Sequence, residues 1–156
     1  MCIRDSINAG ATAEGIGLVY ELARARGFTT MGIVSSLAQR EGVAFSPCAQ
    51  TVFVVADDSW GGLRADGSGL SPTSAAMVAA SNAMVGIGGG AIAGDELTAA
   101  RRAGLPVSFH AADMNHERAR QKARRKGQPE PRSFSGAAAE AHRPSELPPA
   151  AQDLEH

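Results

Sequence analysis

The chain predicts an α/β fold: a doubly wound, mainly parallel Rossmann-like sheet with helices on both faces. Three observations carry this. Strand patterns alternate with helix patterns along the chain. The strand runs are continuously apolar rather than alternating, as in parallel sheets covered on both sides. Glycine-rich turns follow the strands, where such folds place ligands at the carboxyl ends.

Ile7–Ala9 reads as a short first strand running into the glycine-rich turn Gly10–Gly17. Leu18–Arg26 follows as a helix, with Leu18, Leu22 and Ala25 on one face and Gly27 as its stop. Thr29–Val34 is β-branched and apolar, hence a strand. Ser35–Pro47 is a polar connection with room for a helical turn. The run Thr51–Ala56 predicts a strand buried on both faces, and Asp57–Leu70 is a Gly- and Asp-rich loop. Ser71 and Pro72 mark the start of a helix reaching Asn82. Met84–Ile87 is a strand, the triple glycine Gly88–Gly90 a turn, and Ile92–Ala103 a helix stopped by Gly104. Pro106–Phe109 is a last strand. It opens into the loop His110–His116 and the basic helix Glu117–Lys126.

Residues 7–126 therefore form one domain. Met1–Ser6 reads as a non-native leader and Leu154–His156 as a tag remnant. Residues 127–156, rich in Pro, Ala, Ser and Glu, are expected to be a disordered tail. The 15 basic and 16 acidic residues leave a net charge of −1, which gives no global field for nucleic acid or membrane surfaces. Aromatics at 4% are too few for a base-stacking platform. No apolar run approaches the ~20 residues of a membrane span. Cys2 and Cys48 form neither a disulfide framework nor a metal spacing. A cytoplasmic protein is the expectation, and association into a homo-oligomer is open. Walker A, G-x-S-x-G and H-E-x-x-H motifs are absent.

The most informative stretch is Met84–Leu97. An apolar strand, three glycines and a helix beginning near Asp95 and Glu96 bring bare backbone N–H groups to a helix N-terminus. Gly88, Gly89 and Gly90 are thus candidates to cradle a phosphate. A second cradle is offered by Gly10, Thr12, Gly15 and Gly17, with Glu14 beside it. The alternative in each turn is glycine serving geometry alone, with more weight at the Gly10–Gly17 turn than at the triple glycine. Asp57, at a strand end, is a candidate for ribose hydroxyls, and Trp60 for a base. Asp113 is a candidate pocket residue in a loop with His110, Asn115 and His116. That loop offers a metal-like spacing, or alternatively an N-cap at Asp113 or Asn115. Glu96 is the candidate catalytic residue, or a first-turn acid complementing the helix dipole, the role also given to Asp95. The run Arg118–Lys126 distributes around a helix as a solvated basic face.

Gly10 to about His116 resembles the Rossmann-like superfamily of the "lonely guy" phosphoribohydrolases, the molybdenum-cofactor carrier proteins and the nucleotide-sensing SLOG domains. The phosphoribohydrolases carry Pro-Gly-Gly-x-Gly-Thr-x-x-Glu; Gly89, Gly90 and Glu96 match its two glycines and glutamate. Gly88 stands for the proline and Ile92-Ala93 for Gly-Thr. The catalytic arginine of those enzymes sits on the preceding helix, and Pro72–Asn82 contains none. The resemblance implies a phosphate- or nucleotide-type ligand. The chain is expected to bind a nucleotide or related phosphorylated small molecule, without a cofactor or metal. N-glycosidic bond hydrolysis through Glu96 and a structural or oligomerising role are the alternatives.

Overall fold

The computed structural model describes residues 5–142. Five strands form two parallel sheets. β1 (Ser6–Gly10), β2 (Thr29–Ser35) and β3 (Thr51–Val55) pair in that order, and β4 (Met84–Ile87) pairs with β5 (Val107–His110). The helices are α1 (Leu18–Ala25), α2 (Ser36–Arg40), α3 (Pro72–Ala79), α4 (Ala91–Arg102), α5 (His116–Arg125) and α6 (Ala137–Ala141), with a 3₁₀ turn at Gly15–Gly17. The fold is thus mixed α/β, with parallel strands joined through helices. No described helix is long and apolar enough to cross a membrane.

Helix stops follow the glycines. Gly104 at φ +82° closes α4, its N–H donating to Arg101 while Leu105 N–H reaches back to Ala100. The core gathers Ala11, Val34 and Ala38, with Val43, Phe45 and Val52 packed against it. Gly32 lies under this layer because a Cβ there would sit 2.7 Å from that of Ala11.

Several expectations are corrected. The buried face of α1 is Tyr20 and Ala23; Leu18 and Leu22 are 65% and 59% exposed, and Ala25 is exposed too. Tyr20 wins the inward position because its hydroxyl reaches the carbonyl oxygens of Ala9 (2.7 Å), Met31 (2.9 Å) and Gly10 (3.1 Å), tying α1 to β1 and β2. Burial pushes its phenol up to about 12. β3 is not covered on both faces. Among the described residues its one strand neighbour is β2, and Phe53 is 52% exposed. An apolar run encodes strand propensity, and position within the sheet decides its burial.

The expected leader overlaps the sheet. Ser6 pairs with Thr29, whose N–H donates to Asp5 O. Met1–Arg4 and the expected tag remnant 154–156 lie outside the described residues. Within the segment expected as a tail, Ala137–Ala141 is helical and seats against α4, with Ala138 fully buried.

Candidate functional site

Every described strand runs parallel to its neighbour, so the first glycine turn, the Asp57 loop and the triple glycine each leave a strand's carboxyl end. The structure assigns their residues different work.

The triple glycine has the backbone that its sequence demands. Gly88 and Gly89 lie at φ +57° and +115°. Side chains there meet the chain itself: a Cβ on Gly88 would lie 2.8 Å from Ala112 O, and one on Gly89 2.7 Å from Ala93 Cβ. These two glycines serve close packing and reversal of the chain. Gly90 differs, with open space around its missing Cβ, and is the N-cap of α4. No side chain caps the helix, and its first turn holds no acidic residue. The sequence places Asp95 and Glu96 in the first turn. The helix begins at Ala91, which places both in the second turn. Gly90, Ala91 and Ile92 are exposed, and their N–H groups donate to no acceptor among the described residues. The N-terminus of a 12-residue helix is therefore open, unneutralised and electropositive.

Glu96 is engaged by α3. Its Oε1 accepts from Ser74 Oγ on α3 at 2.6 Å, and Ser74 Oγ in turn accepts from Gly62 N–H at 2.7 Å. Ser74 is fully buried. Burial pushes the Glu96 carboxyl up, against the Ser74 hydrogen bond, with Asp95 adding to the rise. Asp95 Oδ2 accepts from Leu63 N–H at 3.1 Å. Two acids of α4 thus hold the loop that follows β3, one directly and one through Ser74.

Asp57 is buried and its oxygens are spent. Oδ2 accepts from Thr73 N–H at 2.9 Å, capping α3. Oδ1 accepts from Ser59 N–H at 2.8 Å and Ser59 Oγ at 2.7 Å. Burial pushes its carboxyl up, but these donors outweigh burial and hold it well below the usual carboxylate range. Ser71 occupies the N-cap position, yet its side chain makes no capping bond, because Asp57 has taken that role. Trp60 is exposed on the loop.

The first turn is tied down, chiefly by the segment Ala44–Ser46. Ala13 N–H donates to Ala44 O, Ser46 N–H donates to Ala11 O, and Thr12 Oγ1 donates to Glu14 O. A Cβ on Gly10 would press on Ile16, and one on Gly17 would collide with the Thr12 carbonyl. Gly15 is open and exposed. Glu14 pairs with Arg118 of α5.

In the last loop Asn115 is the N-cap of α5, its Oδ1 accepting from Arg118 N–H at 2.9 Å. Asp113 pairs with His116 at 3.1 Å. Among the described residues no three His, Cys, Asp or Glu are grouped to hold a metal ion.

Two cavities of about 520 Å³ flank the Asp57–Leu70 loop. One lies between Ser36, Asp57–Ser59, Arg64 and Ser71. The other runs along α4 from Ala91 past Asp95 and Thr98 to Arg102, walled by Leu63, Leu70, Ala137 and Ala141. Only the second reaches the open helix start. Sequence reasoning missed its α6 wall, a five-residue alanine-rich segment with no amphipathic signal. Comparison with protein-family models, curated proteins and solved structures finds no match.

Proposed function

We propose that this chain binds a phosphorylated small molecule, of nucleotide type, with its phosphate at the start of α4 and the remainder in the cavity beside that helix. The observation that carries the reading is the set of unpartnered N–H groups of three exposed residues, Gly90, Ala91 and Ile92. They stand at the uncapped end of a helix whose first turn has no acid. Such an end favours an anion through both its donors and its dipole. The adjoining groove, half open to solvent, has a volume of about 520 Å³. Gly88 and Gly89 shape the turn, and Gly90 leaves room for the ligand.

The reading includes a single doubly wound frame. The order β3-β2-β1 ends at β1, whose Asn8 Nδ2 donates to Ala80 O at 3.2 Å, while Ser81 Oγ donates to Asn8 Oδ1 at 3.3 Å. These bonds reach from β1 to the residues just before β4, where a continuous sheet would bring the two strands side by side. A cytoplasmic location belongs to the same proposal and rests on composition. Engagement of Glu96 by Ser74 favours binding over hydrolysis, since that carboxylate already anchors a loop.

The test is Ala91→Asp. A carboxylate in the first turn should keep or raise stability, by about 0.3–1 kcal/mol, while occupying the anion's place. Wild type should gain thermal stability with nucleoside monophosphates and the variant should not. Equal ligand-induced stabilisation of both proteins would remove the site from α4.

A further inference from the structure

We infer that Gln128–His142 is a strap of the protein's own chain that docks across the glycine turn, holds its geometry and completes the ligand cavity. The inference rests on the proposed anion site for its effect on affinity; the docking itself rests on geometry alone.

The strap is anchored at both ends. At its start, Glu130 pairs with Arg120 of α5 at 2.9 Å. Phe134 stacks on His116, ring centroids 3.8 Å apart, with the Arg120 guanidinium 5.5 Å from its ring centre. The Phe134 carbonyl accepts from Met114 N–H at 2.6 Å. At its end, His142 is buried and stacks on Phe109 of β5 at 5.4 Å.

Between these anchors the strap meets the site. Gly89 O accepts from Ala138 N–H at 3.1 Å, so a carbonyl of the turn is bonded to α6. The contact is backbone against backbone. A Cβ on Gly94 would lie 3.4 Å from Ala138 Cα and one on Gly89 3.6 Å from Ala138 Cβ, both ordinary van der Waals contact, so the requirement for glycine falls on Gly136. Gly136, at φ +76°, passes so near that a Cβ would collide with Gly89 O. Ala137 and Ala141 then form one wall of the cavity along α4.

Gly90, Ala91 and Ile92 stay exposed with the strap docked. The strap is therefore a brace and a wall, and it leaves the anion site open. Holding Gly88 and Gly89 at positive φ before ligand arrives preorganises the turn, which raises affinity by lowering the cost of ordering. By linkage, a ligand that fills the cavity favours the docked strap to the same extent.

The experiment compares the full chain with Gly136→Val, which cannot hold the contact, and with Phe134→Ala, which loosens the first anchor. Amide hydrogen exchange at Gly88, Gly94 and Ala138, whose N–H groups donate to His110 O, Gly90 O and Gly89 O, and limited proteolysis within 128–142 are followed without ligand. Inorganic phosphate and AMP affinities are then measured. In Gly136→Val both exchange and cleavage should rise at least tenfold, and both affinities should fall at least tenfold. Phe134→Ala should move each readout in the same direction, while exchange of β2 stays unchanged. Wild-type cleavage as fast as that of Gly136→Val, or exchange of the turn unaltered within twofold in both variants, would overturn the strap. Absence of binding to wild type would overturn the proposed function, with exchange and cleavage still deciding the strap.

Discussion

Ser74→Ala is the sharpest probe of how the loop over α4 is held. Its Oγ donates to Glu96 Oε1 at 2.6 Å and accepts from Gly62 N–H at 2.7 Å, and both Ser74 and Gly62 are buried. Removing one oxygen leaves a half-buried carboxylate without its donor and a buried N–H without its acceptor. A hydrogen bond to a charged group contributes about 1.5–3 kcal/mol, and an orphaned buried donor costs about 1–3 kcal/mol. The two share one atom and are not additive, so about 3 kcal/mol is the expected loss. For a chain of this size each kcal/mol lowers Tm by about 2–4 °C, which gives a fall of about 6–12 °C. Chemical and thermal denaturation of wild type, Ser74→Ala, Glu96→Gln and the double variant would give the coupling between the pair. A loss for Ser74→Ala within about 0.5 kcal/mol, the range of a surface change, would refute the reasoning. It would also free Glu96 for another role.

Three further outcomes follow from the same geometry. The Asp57 carboxyl is held below its unfolded value, near 3.9, so its contribution is present above that pH and lost as pH falls through the folded value. The stability deficit of Asp57→Asn, measured by urea denaturation, should therefore shrink from pH 7 toward pH 2. The Glu96 carboxyl is shifted the opposite way, so its contribution is greatest below the unfolded value and declines as pH rises through the folded one. The stability of Glu96→Gln relative to wild type should accordingly improve between pH 4 and pH 7; a flat difference across that range would contradict the burial of this group. Gly17→Ala drives a Cβ into the Thr12 carbonyl, and rigid backbone cannot yield cheaply. Overpacking of this kind costs about 1–3 kcal/mol, readable as a shifted urea midpoint.

Much of the element order was legible in the sequence because its signals are local. Gly27 and Gly104 stop helices through positive φ, and Pro72 opens one. What failed was non-local. The 3.6-residue spacing of Leu18 and Leu22 marked a face of α1, but Tyr20 took the interior through carbonyl oxygens on two strands. Nothing in Thr51–Val55 tells a central strand from one with a single neighbour. Thr73, which Asp57 caps, and Ser74, which holds Glu96, lie 16 and 22 residues away in sequence, so these two engagements leave no local pattern; only the Ser59 bonds to Asp57 are local. α6 is short and alanine-rich, and its anchorage at Gly89 is a backbone bond that leaves no residue pattern. The glycine turn itself is legible, but the exposed donors cluster at its exit, Gly90–Ile92, while Gly88 N–H is spent on His110 O.

The central claim is tested most directly by titrating the ¹⁵N-labelled chain with AMP and inorganic phosphate and following each backbone amide. Binding at the start of α4 predicts saturable shifts largest at Gly90, Ala91 and Ile92, with AMP also moving Thr98 and Arg102 along the cavity. Shifts confined to the basic helix Glu117–Arg125, or none at millimolar ligand, would contradict it.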